Sequence, residues 1–272
     1  MIFRQRLFTC FIAVLLAGCD GGGAASDSQA SGDTTDPSPL SRYVESRPLA
    51  DNSDATAYTV LIMGNSHAAG LYLVLADLLA LGQPEKPVDV RLSSSSRFLD
   101  ERVNDGVSEQ TLESESWSHV ILQAQKYSTT GANTYPTDAA EYWVRGSKLQ
   151  GSTPIMFPEH PREGNTWEGQ ALWDLHKGIA VRENTCVAPV GPVWDEVGFR
   201  DPLLELHEPD GNHASMTGIL LTALVFYPII TGQPVESLPE LSSFGIDAAT
   251  ELIMKETVSS VLYTYLPCEF EG

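Results

Sequence analysis

Basic side chains are scarce in this 272-residue chain: 16 Lys and Arg stand against 36 Asp and Glu, a formal net charge of −20 at neutral pH. Such a surface repels phosphate backbones, so no nucleic-acid partner is expected. Cysteine is scarcer still, with four residues, and neither a Cys-x-x-Cys nor a His-x-x-x-His pair occurs. No structural zinc and no cofactor are therefore expected. The N-terminal apolar stretch Leu7–Leu16 is too short to span a bilayer. No internal repeat is visible. Between Asp20 and Ser41 apolar side chains nearly vanish in favour of Gly, Ser, Ala, Asp, Thr and Pro. A stretch of that composition cannot bury enough surface to offset its ordering entropy, and it reads as a flexible tether running to about residue 57.

From Tyr58 onward the chain alternates short apolar runs with longer periodic ones. Strands are expected at Thr59–Met63, Val88–Leu92, His119–Leu122, Thr153–Phe157 and Cys186–Pro189. Helical spacing marks Ala69–Leu81, Asp138–Leu149, Trp167–Glu183, Ser215–Thr231 and Ile246–Tyr265. Strands alternating with helices imply a parallel sheet covered on both faces, a three-layer α/β/α sandwich with five strands. In such sheets the functional site lies beyond the carboxyl ends of the strands.

Ser66 stands there, in Met63-Gly64-Asn65-Ser66-His67-Ala68, directly after the first strand. Far along the chain comes Asp210-Gly211-Asn212-His213. A serine hydroxyl is a weak nucleophile at neutral pH. It needs a base to take its proton and a third group to hold that base in one tautomer. Ser66, His213 and Asp210 supply the three roles. Each half alone is weak evidence, because Ser after a strand and Asp before a helix are favoured caps.

Together, Gly64-Asn65-Ser66 and Asp210–His213 resemble the SGNH/GDSL hydrolases, whose nucleophile block follows the first strand and whose acid and base form Asp-x-x-His near the C-terminus. The resemblance covers about Tyr58 to Pro234 and implies a flavodoxin-like order of strands. It is not the Gly-x-Ser-x-Gly elbow, since position 68 is Ala. The family's oxyanion hole uses the nucleophile's own N–H, a Gly N–H after the second strand and an Asn side chain in Gly-x-Asn after the third. This chain departs from that pattern. Its second loop is Ser93-Ser94-Ser95-Ser96 and its third block is Gln123-Ala124-Gln125. Aligning strand ends gives Gln125 the Asn role and Gln123 the Gly position, with a serine N–H, taken as that of Ser95, replacing the Gly donor. Asn65, His67, Gln123 and His160 are candidate substrate contacts. For His67 packing is as good a reading, and for Glu159 and His160 a surface role is the better one. His119, His176 and His207 read as structural or exposed.

The N-terminus has Arg4 and Arg6, then Leu7–Leu16, then Leu16-Ala17-Gly18-Cys19. This resembles the lipobox of bacterial lipoproteins and implies a signal peptide over 1–18, cleavage before Cys19, lipidation of its thiol, and a tether over 19–57 leading to a hydrolase domain at 58–272. The protein is then expected in the cell envelope, touching the membrane only through its lipid. With Cys10 lost and Cys19 acylated, Cys186 and Cys268 remain. Leftover thiols in an oxidising compartment are expected to pair, the alternative being two free thiols. The resemblance implies a serine hydrolase of short-chain esters such as O-acetylated carbohydrates. A lipase- or thioesterase-like activity on longer acyl chains, or an inactive glycan-binding lipoprotein, are the alternatives. The oligomeric state is not legible.

Overall fold

The computed structural model describes residues 38–94 and 96–270. The expected signal peptide, the lipobox with Cys19, most of the tether and Ser95 lie outside them. Five strands, β1 (Tyr58–Met63), β2 (Val88–Leu92), β3 (His119–Gln123), β4 (Thr153–Phe157) and β5 (Cys186–Val187), form one sheet in the order β2-β1-β3-β4-β5. Every pairing is parallel. Among the described residues eight α-helices accompany them: α1 (Leu71–Gly82), α2 (Leu99–Arg102), α3 (Ser108–Glu113), α4 (Asp138–Leu149), α5 (Glu168–Arg182), α6 (Val190–Arg200), α7 (Met216–Thr231) and α8 (Ala248–Thr264). Parallel strands need crossover connections, and those crossovers cover both faces of the sheet.

Successive strand side chains point to opposite faces. Val60 and Ile62 of β1 join a core with α1, α6, α7 and α8. Leu61 and Met63 join a second core with α4 and α5. All four are fully buried, which is why β1 reads as an unbroken apolar run. Apolar on nearly every side, α7 is buried along almost its whole length. Ser215 Oγ accepts from Gly218 N at its start, and Gly232 ends it in the left-handed conformation. Among the described residues no helix is long and apolar enough to cross a membrane.

Two expectations need correction. The sequence implies a tether as far as residue 57, but residues 40–57 pack onto the domain. Tyr43 and Leu49 are buried. The Tyr43 carbonyl accepts from Arg145 Nε, Ser46 donates to Glu183 within the buried Lys148–Glu183 pair, and Asn52 bonds Thr153. A few anchors spaced along a polar segment suffice to order it, and composition averages them away. The fifth strand stops at Val187: Ala188 N still donates to Met156 O, and then Val190 N turns back onto Ala188 O. Helix α6 starts at Val190. Its Gly191 and Pro192 look like loop punctuation, yet they fall in the first turn, where backbone N–H groups lack helical partners anyway. A Cβ on Gly191 would lie 2.6 Å from the Gly169 backbone, so this pair lets α5 and α6 touch. Cys186 and Cys268 are joined in a disulfide that ties the segment after α8 to β5. Val187 N donates to Pro267 O beside it.

Candidate active site

Beyond the end of β1 the chain makes one turn of 3-10 helix, Ser66–Ala68, before α1. Asn65 Oδ1 caps it by accepting from His67 N at 3.1 Å. Gly64 is pressed from below: a Cβ there would meet Gln123 Oε1 at 2.6 Å and Ala68 Cβ at 2.8 Å. The Gly64 carbonyl accepts from Arg102 Nη2 at 2.6 Å, and Asn65 N donates to Gln123 Oε1 at 2.7 Å. Ser66 is exposed, and its N–H makes no hydrogen bond within the described residues. It is thus free to meet an oxyanion.

Asp210 and His213 share a loop that organises itself. Asp210 Oδ1 accepts from both Asn212 N and His213 N at 2.9 Å. Gly211, at φ 65°, makes the turn. Glu208 N donates to His213 O, and Ser215 N to Leu206 O. The His213 side chain then bridges: Nδ1 lies 2.6 Å from Asp210 Oδ2, and Nε2 lies 3.0 Å from Ser66 Oγ. A carboxylate only accepts, so Nδ1 carries the proton and Nε2 is left to take one from Ser66. The hydrogen bond from His213, aided by the two backbone N–H groups, holds the Asp210 carboxyl well below the usual carboxylate range. All three residues named from the sequence therefore meet.

Behind the triad stands a second layer. The His67 ring stacks on that of His213, centroids 5.0 Å apart and planes 19° apart. Its Nδ1 lies 3.2 Å from Asn65 Oδ1, so Nδ1 carries the proton and Nε2 accepts from Asn212 Nδ2 at 3.2 Å. His67 thus clips the nucleophile turn to the catalytic loop. Glu159 Oε2 lies 3.7 Å from His67 Nδ1 and accepts from Gln123 Nε2 at 2.8 Å. Burial raises the Glu159 carboxyl, against the opposing pull of His67 and of the hydrogen bonds it accepts. Asn65, His67 and Gln123 therefore make contacts that brace Ser66.

The oxyanion assignment to Gln125 is corrected. After β3, Ala124 takes φ 75°, and its carbonyl accepts from Leu99 N. That turn carries Gln125 away from Ser66, and both its amide hydrogens go to backbone carbonyls, of Lys126 at 2.9 Å and Pro136 at 3.0 Å. Gln123, two residues earlier, is the side chain beneath the nucleophile. The assignment of Ser95 lies outside the described residues. His160 is also corrected, both as a substrate contact and as a surface residue: it is 2% exposed and stacked on Trp194 at 4.1 Å. An apolar ring beside it makes burial of the neutral imidazole favourable, and burial pushes its pKa down to about 3. His119 and His176 are buried.

Arg102 and Asn212 also belong to the site, though the sequence pattern does not mark their roles. The Arg102 guanidinium is fully buried and also donates to Ser93 Oγ and Ser108 Oγ, joining the loop after β2 to Gly64. Nothing in its sequence neighbourhood marks it, since its partners are 9, 6 and 38 residues away. Asn212 was legible as part of Asp210–His213, but not in its bond to His67.

A hydroxyl, an imidazole and a carboxylate in this order can carry out nucleophilic acyl transfer. The sequence matches no family model and no curated protein. Among solved structures the chain is similar to a DUF4886 family protein from Bacteroides uniformis, with a TM-score of 0.63 and 15% identity over 77% of this chain and 96% of that one. It is also similar to a protein assigned to the SGNH hydrolases from Slackia heliotrinireducens, with a TM-score of 0.50 and 22% identity over 64% of this chain and 99% of that one. The fold is an α/β/α sandwich on a five-stranded parallel sheet, matching that of SGNH hydrolases.

Proposed function

We propose that the chain is a serine ester hydrolase that removes short acyl groups, acetyl above all, from carbohydrate hydroxyls through an acyl-Ser66 intermediate. The observation that carries the hydrolase reading is the continuous relay from Ser66 Oγ through the His213 ring to Asp210. Ser66 attacks the ester carbonyl while His213 Nε2 takes its proton. The oxyanion is met by the Ser66 N–H and by an N–H of the loop after β2, that of Ser95 in this proposal. Collapse expels the alcohol, which receives its proton from His213. Water, deprotonated by the same imidazole, then releases the acid from Ser66.

A panel of p-nitrophenyl esters from acetate to laurate, run beside acetylated polysaccharides, tests this reading. Turnover is expected to be fastest on acetate and to vanish in Ser66→Ala. A rate that climbs with chain length would reassign the substrate to longer acyl esters, and equal turnover in wild type and Ser66→Ala would overturn the serine mechanism.

The same proposal places the enzyme in the cell envelope, held by a lipid on Cys19. Its support is the basic start, the short apolar core and Leu16-Ala17-Gly18-Cys19. Metabolic labelling with a fatty acid should mark the wild type and not Cys19→Ser. Equal label in both removes the anchor.

A further inference from the structure

A cleft of about 670 Å³ adjoins the catalytic loop, with Arg162, Glu163, Asn165 and Trp167 facing Asp210 and Asn212 across it. Its outer wall is the loop between β4 and α5. That loop is pinned to the catalytic loop where Glu163 N donates to Gly211 O at 2.9 Å and His207 Nε2 donates to Pro161 O at 2.8 Å. Resting on the ester-hydrolase reading, we propose that this cleft binds the sugar that carries the ester, and that Trp167 is its stacking platform.

Position comes first. His213 must hand its proton to the departing alcohol, so the alcohol portion of the ester lies on His213's side of Ser66. The cleft adjoins the loop that carries His213, because Asp210, Gly211 and Asn212, just before it, form its inner wall. The chemistry of the lining comes second. Trp167 is 45% exposed, forms no ring pair, and its indole N–H makes no hydrogen bond within the described residues. A half-exposed indole offers a flat apolar face with a polar edge, the combination that suits a pyranose ring, apolar on its C–H face and polar at its rim. Asn165 Oδ1 is shielded from solvent and has no hydrogen-bond partner among the described residues.

Charge then narrows the ligand. The one cation in the lining, Arg162, is already spent on Glu168, which accepts from its side chain and from its backbone N–H, while a further guanidinium N–H donates to the Thr129 carbonyl. Asp210 is paired with His213. The Glu163 carboxylate is left without an ion-pair partner among the described residues. A cleft with an uncompensated carboxylate and no available cation repels uronic acids and accepts neutral sugars. The preferred substrate is therefore an O-acetylated neutral oligosaccharide.

The test measures kcat and KM for p-nitrophenyl acetate, acetylated xylo-oligosaccharides and acetylated oligogalacturonides in wild type, Trp167→Ala and Trp167→Phe. Trp167→Ala should raise KM on the xylo-oligosaccharides about tenfold, the scale of one lost aromatic contact, with a much smaller change on p-nitrophenyl acetate. Trp167→Phe should recover part of the loss. Equal losses on ester and oligosaccharide would make Trp167 a structural residue and overturn the platform. Preference of the wild type for oligogalacturonides would overturn the charge argument. Turnover of p-nitrophenyl acetate without any on the oligosaccharides would remove the sugar cleft alone, whereas no turnover on any ester would remove the hydrolase reading beneath it.

Discussion

The catalytic loop and the floor beneath Ser66 do the same job by opposite means. The loop closes on itself: Asp210 binds the backbone of Asn212 and His213 and the ring of His213, all within four residues. It is half-exposed, with Asp210 and His213 side chains 51% and 39% accessible. The floor is buried and assembled from distant pieces. Gln123 comes from β3, Glu159 from the loop after β4 and His67 from the turn after β1, with Glu159 between the other two, while Arg102 of α2 holds the Gly64 carbonyl. Local closure survives in a sequence motif, whereas assembly across the sheet does not. The two regions should also fail differently: damage to the loop removes chemistry and spares the fold, and damage to the floor costs both.

The sharpest break is expected on the loop side. His213→Ala should lower kcat by roughly 10⁶, about as much as Ser66→Ala, and the double variant by little more, because the relay acts as a unit. Asp210→Asn should cost about 10⁴ in kcat, since an amide no longer selects the tautomer with the proton on Nδ1. In both variants the thermal midpoint should stay near that of wild type, because these side chains are exposed. A large fall in the midpoint would mean that the loop is not self-supporting.

On the floor, Gln123→Ala should lower kcat by about 10²–10³ and stability as well, because it strands Asn65 N and Glu159 and opens a gap under the nucleophile. Gln125→Ala should leave kcat within a few-fold of wild type. Its cost should appear instead as about 1–3 kcal/mol of stability, read by urea titration, as two carbonyls lose their partners. Reversal of that kinetic ranking would restore the oxyanion role to Gln125.

His67 belongs to both regions, so it sharpens the contrast. His67→Phe keeps the plate under His213 and loses the bond to Asn212. A decrease in kcat of about tenfold with little change in KM is expected. His67→Gln, which can still accept from Asn212, should recover part of it. A change confined to KM would make His67 a substrate contact.

The smallest effect concerns the α5–α6 junction. Burial, with Glu168 adding repulsion, pushes the Asp195 carboxyl up to about 6. A carboxyl raised on folding holds its proton in the folded state after the unfolded chain has released it. It therefore favours the fold at low pH, and that contribution is lost as pH rises from about 4 through 6. Asp195→Asn should raise stability above pH 6 by about 1 kcal/mol, after discounting for solvent screening, and much less at pH 4. A pH-independent effect would show that the charge is not what Asp195 costs the fold.

Sequence alone determined the parts whose signal is local or periodic. The apolar runs of β1, β3 and β4, buried on both faces, the alternation of β2 and the repeat of α4 place themselves. Ser66, Asp210 and His213 were legible because a strand end and an i, i+3 closure fix each half within a few residues. The Cys186–Cys268 pair was legible by elimination. Tertiary structure alone decided the rest. It turned the chain at Ala124, so that Gln125 faces away and Gln123 faces in. It buried His160 against Trp194, started α6 at residues that look like a loop, and strapped residues 40–57 to the domain. The physical reason is common to all four: each is set by partners tens of residues away, and a side chain's propensity carries no record of which distant group will complete its hydrogen bonds or cover its ring.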